Sequence, residues 1–211
     1  MKVFLKPGQR VWFTSDSHYN HGNLCRATSN WEDLDSTRDF KSLDQMNDAL
    51  VDNINSKVGE NDYLFHLGDF AFGGVKYIKE FRERINCKNV HLILGNHDYR
   101  MVENIDIVRP LFSSMSEYRF LTVFTPFEDT ELKHRFVLFH YPIVSWNGMC
   151  YGVMHLYGHV HSSQEERIRG VKAMDVGADA NNFMPISLEE VVKILEDQEE
   201  CKYLNIPQRE D

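Results

Sequence analysis

Little in this chain invites thiol chemistry. Its four cysteines (Cys25, Cys87, Cys150 and Cys201) are widely spaced and form no Cys-x-x-Cys pair. That argues against a thiolate metal site or a dithiol redox motif, and it fits reduced thiols in a cytoplasmic setting. Long hydrophobic runs are missing too. No stretch approaches the ~20 residues of a membrane span, and no apolar signal-peptide stretch opens the chain. Basic charge is in deficit, with 23 Lys and Arg against 32 Asp and Glu and a formal net charge of −9. Tight binding to long nucleic acid, which needs clustered Lys and Arg, is therefore not expected. A phosphate-bearing substrate stays open, because bound metal ions can be the largest local charges in a site. There is no internal repeat, low-complexity segment or Pro/Gly/Ser-rich linker. With 42% apolar and 26% charged residues over 211 positions, one globular domain spanning 1–211 is expected.

What is present is a series of short apolar runs. Val11 to Ser15, Tyr63 to Leu67 and Val90 to Leu94 read as strands. Between them, Phe40, Leu43, Met46, Leu50 and Ile54 recur at helical spacing, as do Ile78, Phe81 and Ile85 within Val75 to Ile85. Alternation of strand and helix predicts parallel, crossover-linked strands. The second half is richer in strands, at Tyr118 to Phe124, Arg135 to Phe139, Val153 to Tyr157 and Val171 to Val176. A last helix is expected over Leu188 to Glu196, with Ser187 as N-cap and Glu190 completing a capping box. Two mixed sheets packed face to face with helices outside would follow. Tyr19 to Thr37 reads as an extended loop anchored by Trp31, and the charged tail after Cys201 as frayed.

Five polar pieces interrupt this pattern, each where a strand should end: Asp16-Ser17-His18, Gly68-Asp69, Gly95-Asn96-His97-Asp98, His140 and Gly158-His159-Val160-His161. Ligand-binding groups gather at the carboxyl ends of strands in helix-covered sheets. In Asp16-x-His18 and His159-x-His161 the pairs are two residues apart, so on extended backbone each pair faces one side. The candidate ligands Asp16, His18, Asp69, Asn96, His140, His159 and His161 are all oxygen or nitrogen donors. Such a set suits Mn²⁺, Fe, Zn²⁺ or Ni²⁺. It is too large for one open tetrahedral ion and fits two ions sharing a carboxylate, held roughly 3.5–4 Å apart, with a bridging hydroxide as nucleophile. No Ser, Cys or Lys triad is evident.

The order Asp-x-His, Gly-Asp, Gly-Asn-His-Asp, His, Gly-His-x-His resembles the calcineurin-like metallophosphoesterase family. The flanks Ser15 to Asn23 and Asp175 to Ser187 are similar to a small, stand-alone prokaryotic or phage-type branch of it. The resemblance implies an α/β fold, a four-layer α-β-β-α sandwich. It implies that Asp16, His18, Asp69 and His161 hold one ion, that Asp69, Asn96, His140 and His159 hold the other, and that Asp69 bridges. It also implies two divalent cofactor ions, with Mn²⁺ preferred, and a substrate-facing catalytic His97. Asp98 could then orient the His97 imidazole, as carboxylates do for functional histidines.

Plainer readings compete with each assignment. Asp16, Asp69 and Asn96 are also turn formers and N-caps. His66, His91 and His155 lie in strands and read as structural; His134 reads as a turn residue. His21, Arg26 and Tyr141 are candidate substrate contacts, Arg26 and Arg100 having surface arginine as the plainer alternative. The segment Thr125 to His134 and the loop Tyr19 to Thr37 are expected to shape the pocket. The activity expected is hydrolysis of a small nucleotide-like phosphodiester. A phosphomonoesterase, a nuclease and a non-catalytic metal-binding scaffold remain alternatives, and the oligomeric state is not readable.

Overall fold

Residues 1–127, 130–161 and 171–196 are described by the computed structural model. The run Val11-Trp12-Phe13-Thr14 is buried throughout, and its side chains divide between two cores. Trp12 faces helices, with Leu64, Val90 and Leu92 beside it and Met46, Leu50, Ile54, Ile78 and Phe81 above. Val11 and Phe13 face a second sheet, where Phe13 lies 5.4 Å from the Phe136 ring. The period-two alternation of a strand thus builds both cores at once. Burying an aliphatic or aromatic side chain of this kind contributes roughly 1.5–3 kcal/mol.

The first sheet runs β10 (Ile186–Ser187), β2 (Val11–Thr14), β3 (Tyr63–His66), β4 (Asn89–Ile93), β5 (Ser114–Ser116). Strands β2 to β5 are parallel and β10 is antiparallel. The second sheet runs β1 (Lys2–Phe4), β6 (Tyr118–Phe127), β7 (Thr130–Phe139), β8 (Met154–Tyr157), β9 (Ala173–Asp175). It is parallel except for the β6–β7 hairpin. The expected architecture of two mixed sheets face to face in an α/β fold is present. Helices α1 (Leu43–Lys57) and α2 (Val75–Arg84) cover the outer face of the first sheet. Short helices α3 (Tyr99–Glu103) and α4 (Ile105–Val108) follow β4. Among the described residues, Trp146, Met149 and Val153, around a 3-10 turn at Met149–Tyr151, cover the outer face of the second sheet. Helix α5 (Leu188–Glu196) packs its apolar face into the inter-sheet core.

Several boundaries differ from the sequence reading. Helix α1 begins at Leu43, because Ser42 caps it by accepting from the Gln45 N–H. Phe40 packs from outside the helix instead. Leu24 and Cys25, both buried, anchor the long loop, whereas Trp31 is exposed. The β6–β7 hairpin is longer than its apolar centre suggested, since the Thr130–Lys133 part of β7 is exposed. The described part of the Thr125 to His134 segment, residues 125–127 and 130–134, therefore lies at the end of the hairpin remote from His140, not at a wall of the pocket. His134 is no turn residue; it is half-buried in β7, opposite Val123. The tail and the run after Glu196 lie outside the described residues.

The expected capping box at α5 is present. Glu190 N–H donates to Ser187 Oγ at 3.2 Å, and Ser187 N–H donates to Glu190 Oε2 at 2.9 Å. Replacing Ser187 by Ala should lower stability by about 1 kcal/mol, read as a lower urea midpoint at unchanged slope. An unmoved midpoint would remove the cap from the account of how α5 is held.

Candidate metal centre

Parallel pairing of β2, β3 and β4 brings their carboxyl ends to one rim. Strands β7 and β8 of the facing sheet end at the same place. The loops that follow are stitched together by backbone. Asp16 N–H donates to Gly68 O (3.0 Å), His18 N–H to Asp69 O (2.9 Å) and Gly158 N–H to His140 O (2.9 Å). Gly68 is at φ +102°, and a Cβ there would lie 2.6 Å from His140 Nδ1 and from the Gly95 nitrogen. No side chain fits between these loops.

All seven candidate ligands converge. Asn96 Oδ1 is 2.9 Å from His140 Nε2 and 2.9 Å from His159 Nδ1. His18 Nε2 is 3.2 Å from His161 Nε2. Asp69 Oδ2 lies between the groups, 3.4 Å from His18 Nε2 and 3.5 Å from His140 Nε2. Asp16, His18 and His161 form one cluster able to hold an ion, and Asp16, Asp69 and His140 a second that shares Asp16. Five of the seven have left-handed backbone: Asp16 (φ 54°), His18 (47°), Asp69 (52°), His159 (73°) and His161 (48°). Each such residue costs of order 1–3 kcal/mol, and strain of this kind clusters at functional sites.

Two imidazoles are oriented from behind. His140 Nδ1 donates to Leu67 O (2.7 Å) and His161 Nδ1 donates to Asp179 Oδ2 (2.6 Å). In the neutral rings each Nε2 lone pair then faces other acceptors. Arg38 fastens the outer side of this arrangement. It donates to Asp179 through Nε (2.8 Å) and to the Asp16 and Ser17 carbonyls (2.6 and 2.8 Å) while itself 4% exposed.

The electrostatics record crowded acceptors. Burial raises Asp16 to about 7, against the pull of His161 and His140. Burial also opposes ionisation of Asp69, but its hydrogen bond with His140, the charges of His140 and His18, and the His97 N–H hold it down at about 2. Burial drives His18 down to about 2. Burial would lower His140 and His161 as well, yet Asp69 and Asp179 respectively, with Asp16, raise both above their ordinary value.

His97 is exposed beside the cluster, its ring 5.3 Å from that of His18 and 6.0 Å from that of Phe72. Tyr141 borders the centre at 5.0 Å from His140 and 4.7 Å from His159. His21 packs 5.6 Å from His18 and 4.1 Å from Phe72. Two expectations need correction. Asp98 does not orient His97: its buried carboxylate accepts the N–H groups of Asp69 (2.9 Å), Phe70 (3.1 Å) and Gly95 (2.8 Å), so it clamps two ligand loops together. Arg26 donates to Thr37 Oγ1 and the Leu34 carbonyl, which ties it to its own loop. His66, His91 and His155 are structural as expected, bonded to Ser17, Ser114 and the carbonyls of Val137 and Tyr141. Sequence reasoning passes over Arg38 and Asp179. Only Asp179 carries a signal, its place in the Asp175 to Ser187 flank.

One opening borders His97 and another borders the ligand candidate His161. A cavity of about 340 Å³ is lined by Phe72, Ile78, His97, Tyr99, Arg100 and Met101. A wider cleft of about 710 Å³ is lined by Trp31, Asp35, Arg38, Val160, His161 and Asp179.

A family model, the calcineurin-like phosphoesterases, matches residues 9–197. The chain belongs to that family. An uncharacterised protein of Methanocaldococcus jannaschii, MJ1445, is 24% identical over 203 residues, covering 93% of this chain and 97% of its own. A solved structure, the protein of unknown function AQ665 from Aquifex aeolicus, is similar in fold. It has a TM-score of 0.61 and 20% identity, covering 89% of this chain and 100% of its own. Family membership carries metal-dependent phosphoester hydrolysis as the class of chemistry. No helix among the described residues is long and apolar enough to cross a membrane.

This phosphoesterase's donors fit metal ions on their own geometry. With metal–ligand bonds of ~2.1 Å, adjacent donors stand about 3.0 Å apart at right angles and about 3.4 Å apart in a tetrahedron. The spacings of 2.9, 3.2, 3.4 and 3.5 Å lie in that range or within about 0.1 Å of it. Asp16, raised to about 7, holds a proton below that pH where a cation would sit, and His140 and His161 are shifted in the same direction. An incoming ion must displace such protons, so affinity should fall as pH drops from about 8 to about 6, with protons released on binding. Titration calorimetry in buffers of different ionisation heat counts those protons. Affinity independent of pH, with none released, would contradict the donor set.

Proposed function

We propose that this phosphoesterase is a dinuclear-metal phosphodiesterase acting on small nucleotide-like diesters. Asp16, His18, Asp69 and His161 would hold one ion and Asp69, Asn96, His140 and His159 the other, with Mn²⁺ preferred over Fe, Zn²⁺ or Ni²⁺. The equal reach of Asp69 Oδ2 to His18 and His140 supports it as the bridge. When bound, the ions supply Lewis acidity and a nucleophile derived from water at neutral pH.

The chain's own residues do the remaining work. His97 protonates the departing oxygen; its backbone is fixed because its N–H donates to Asp69 Oδ1 at 2.8 Å. Asp98 holds the Gly68 and Gly95 loops in register from beneath. Tyr141 and His21 border the substrate beside the ligand histidines. The observation that carries the diester reading is that one opening lies at His97 and another at His161. A phosphoryl group at the centre can extend an arm into each, whereas a monoester needs only one.

Metal-stripped protein reconstituted with Mn²⁺ should cleave a chromogenic phosphodiester faster than its matching monoester, and a chelator should abolish the activity. His97→Ala should keep its metal and lose roughly 10²–10⁴-fold in turnover, most for poor leaving groups. A monoester preference would overturn the diester reading.

A further inference from the structure

The two openings differ in chemistry, and the difference orients the substrate. From the cavity beside His97 we infer that it is the leaving-group subsite and that it takes a flat aromatic arm of the nucleoside class. This rests on the diester reading above. A general acid must stand within hydrogen-bond reach of the oxygen it protonates. His97 forms part of this cavity's wall, so the arm that departs lies here and the retained arm lies toward His161.

The lining suits an aromatic ring. Phe72 and Tyr99 remain 37% and 49% exposed at the cavity, while Ile78 and Met101 close its floor at 1% each. Phe72 is held in place by the His21 ring at 4.1 Å. The Arg100 guanidinium lies over the Tyr99 ring at 5.4 Å and has no carboxylate partner among the described residues. Aromatic faces and guanidinium planes are what unstacked bases pack on. A volume of about 340 Å³ is near the lower end of small-molecule sites, so it accepts one ring system with its sugar, not a polymer. The opposite cleft instead sets Ser36, Thr37, Asp35 and the Arg38–Asp179 ion pair around Trp31, a more polar lining.

In the resulting step, water oxygen bonds to phosphorus and a water proton passes to solvent. The bond from phosphorus to the aromatic arm's oxygen breaks, with its electron pair staying on that oxygen. That oxygen takes the proton of His97, which regains one from solvent. The products are the aromatic alcohol and the phosphomonoester of the other arm.

Two methyl phosphodiesters test this with Mn²⁺-loaded protein: one with a 4-chlorophenyl arm, the other with a hexafluoroisopropyl arm of matched leaving-group acidity. Relative to uncatalysed hydrolysis, the aryl ester should have a kcat/KM about tenfold higher or more. That ratio should fall toward one in the Phe72→Ala/Tyr99→Ala double variant and decline several-fold in Arg100→Ala. Because the ratio is taken within each preparation, partial misfolding cancels. A wild-type ratio near one, or a ratio surviving the double substitution, would overturn the subsite while leaving diester cleavage standing. Cleavage of neither ester would overturn the diester reading and the subsite together.

Discussion

Seven oxygen and nitrogen donors can share one small volume here only because the chain turns sharply at the end of each strand. Extended backbone would carry Asp16 and His18, or His159 and His161, past the rim. A left-handed turn at each of these residues, and at Asp69, brings the side chains back over the sheet ends. This is unfavourable local conformation, and what holds it is tertiary structure. The loops hydrogen-bond to one another, Gly68 leaves room for His140, and two cores clamp the strands from which the loops spring. Strained turns placed where donors meet are expected of a site whose function needs that convergence.

The polar residues behind the donors extend the same logic. Asp98 costs burial, which raises it to about 6, yet its three backbone partners join the loop after β3 to the loop after β4. Arg38 joins the loop after β2 to Asp179, and Asp179 turns the His161 ring so that Nε2 points inward. Burial opposes the Asp179 charge, but Arg38 and His161 hold it well below the usual carboxylate range. Orientation by an outer carboxylate is how imidazole ligands are commonly fixed.

Much of this is legible in the amino-acid sequence. Strand-end position marks Asp16, Asp69, Asn96, His140 and His159 as a group, short apolar runs locate β2, β3 and β4, and helical spacing locates α1 and α2. Strands β1, β5 and β10 are not legible because each spans only two or three residues and owes its existence to a neighbour across the sheet. Trp31 misleads because aromatic size suggests burial, whereas the smaller Leu24 and Cys25 fill the space beneath the loop. Asp98 misleads because its neighbour in sequence, His97, is not its partner in space. Arg38 carries no pattern at all. Its meaning comes from Asp179, 141 residues away.

Metal analysis of Asp69→Ala against wild type tests most directly the proposed two-ion site in which one carboxylate serves both ions. After reconstitution with Mn²⁺ and removal of free metal, wild type should hold two ions per chain. The variant, still folded by circular dichroism, should lose both. A variant that keeps two, or a wild type that binds none, would contradict the shared-carboxylate centre.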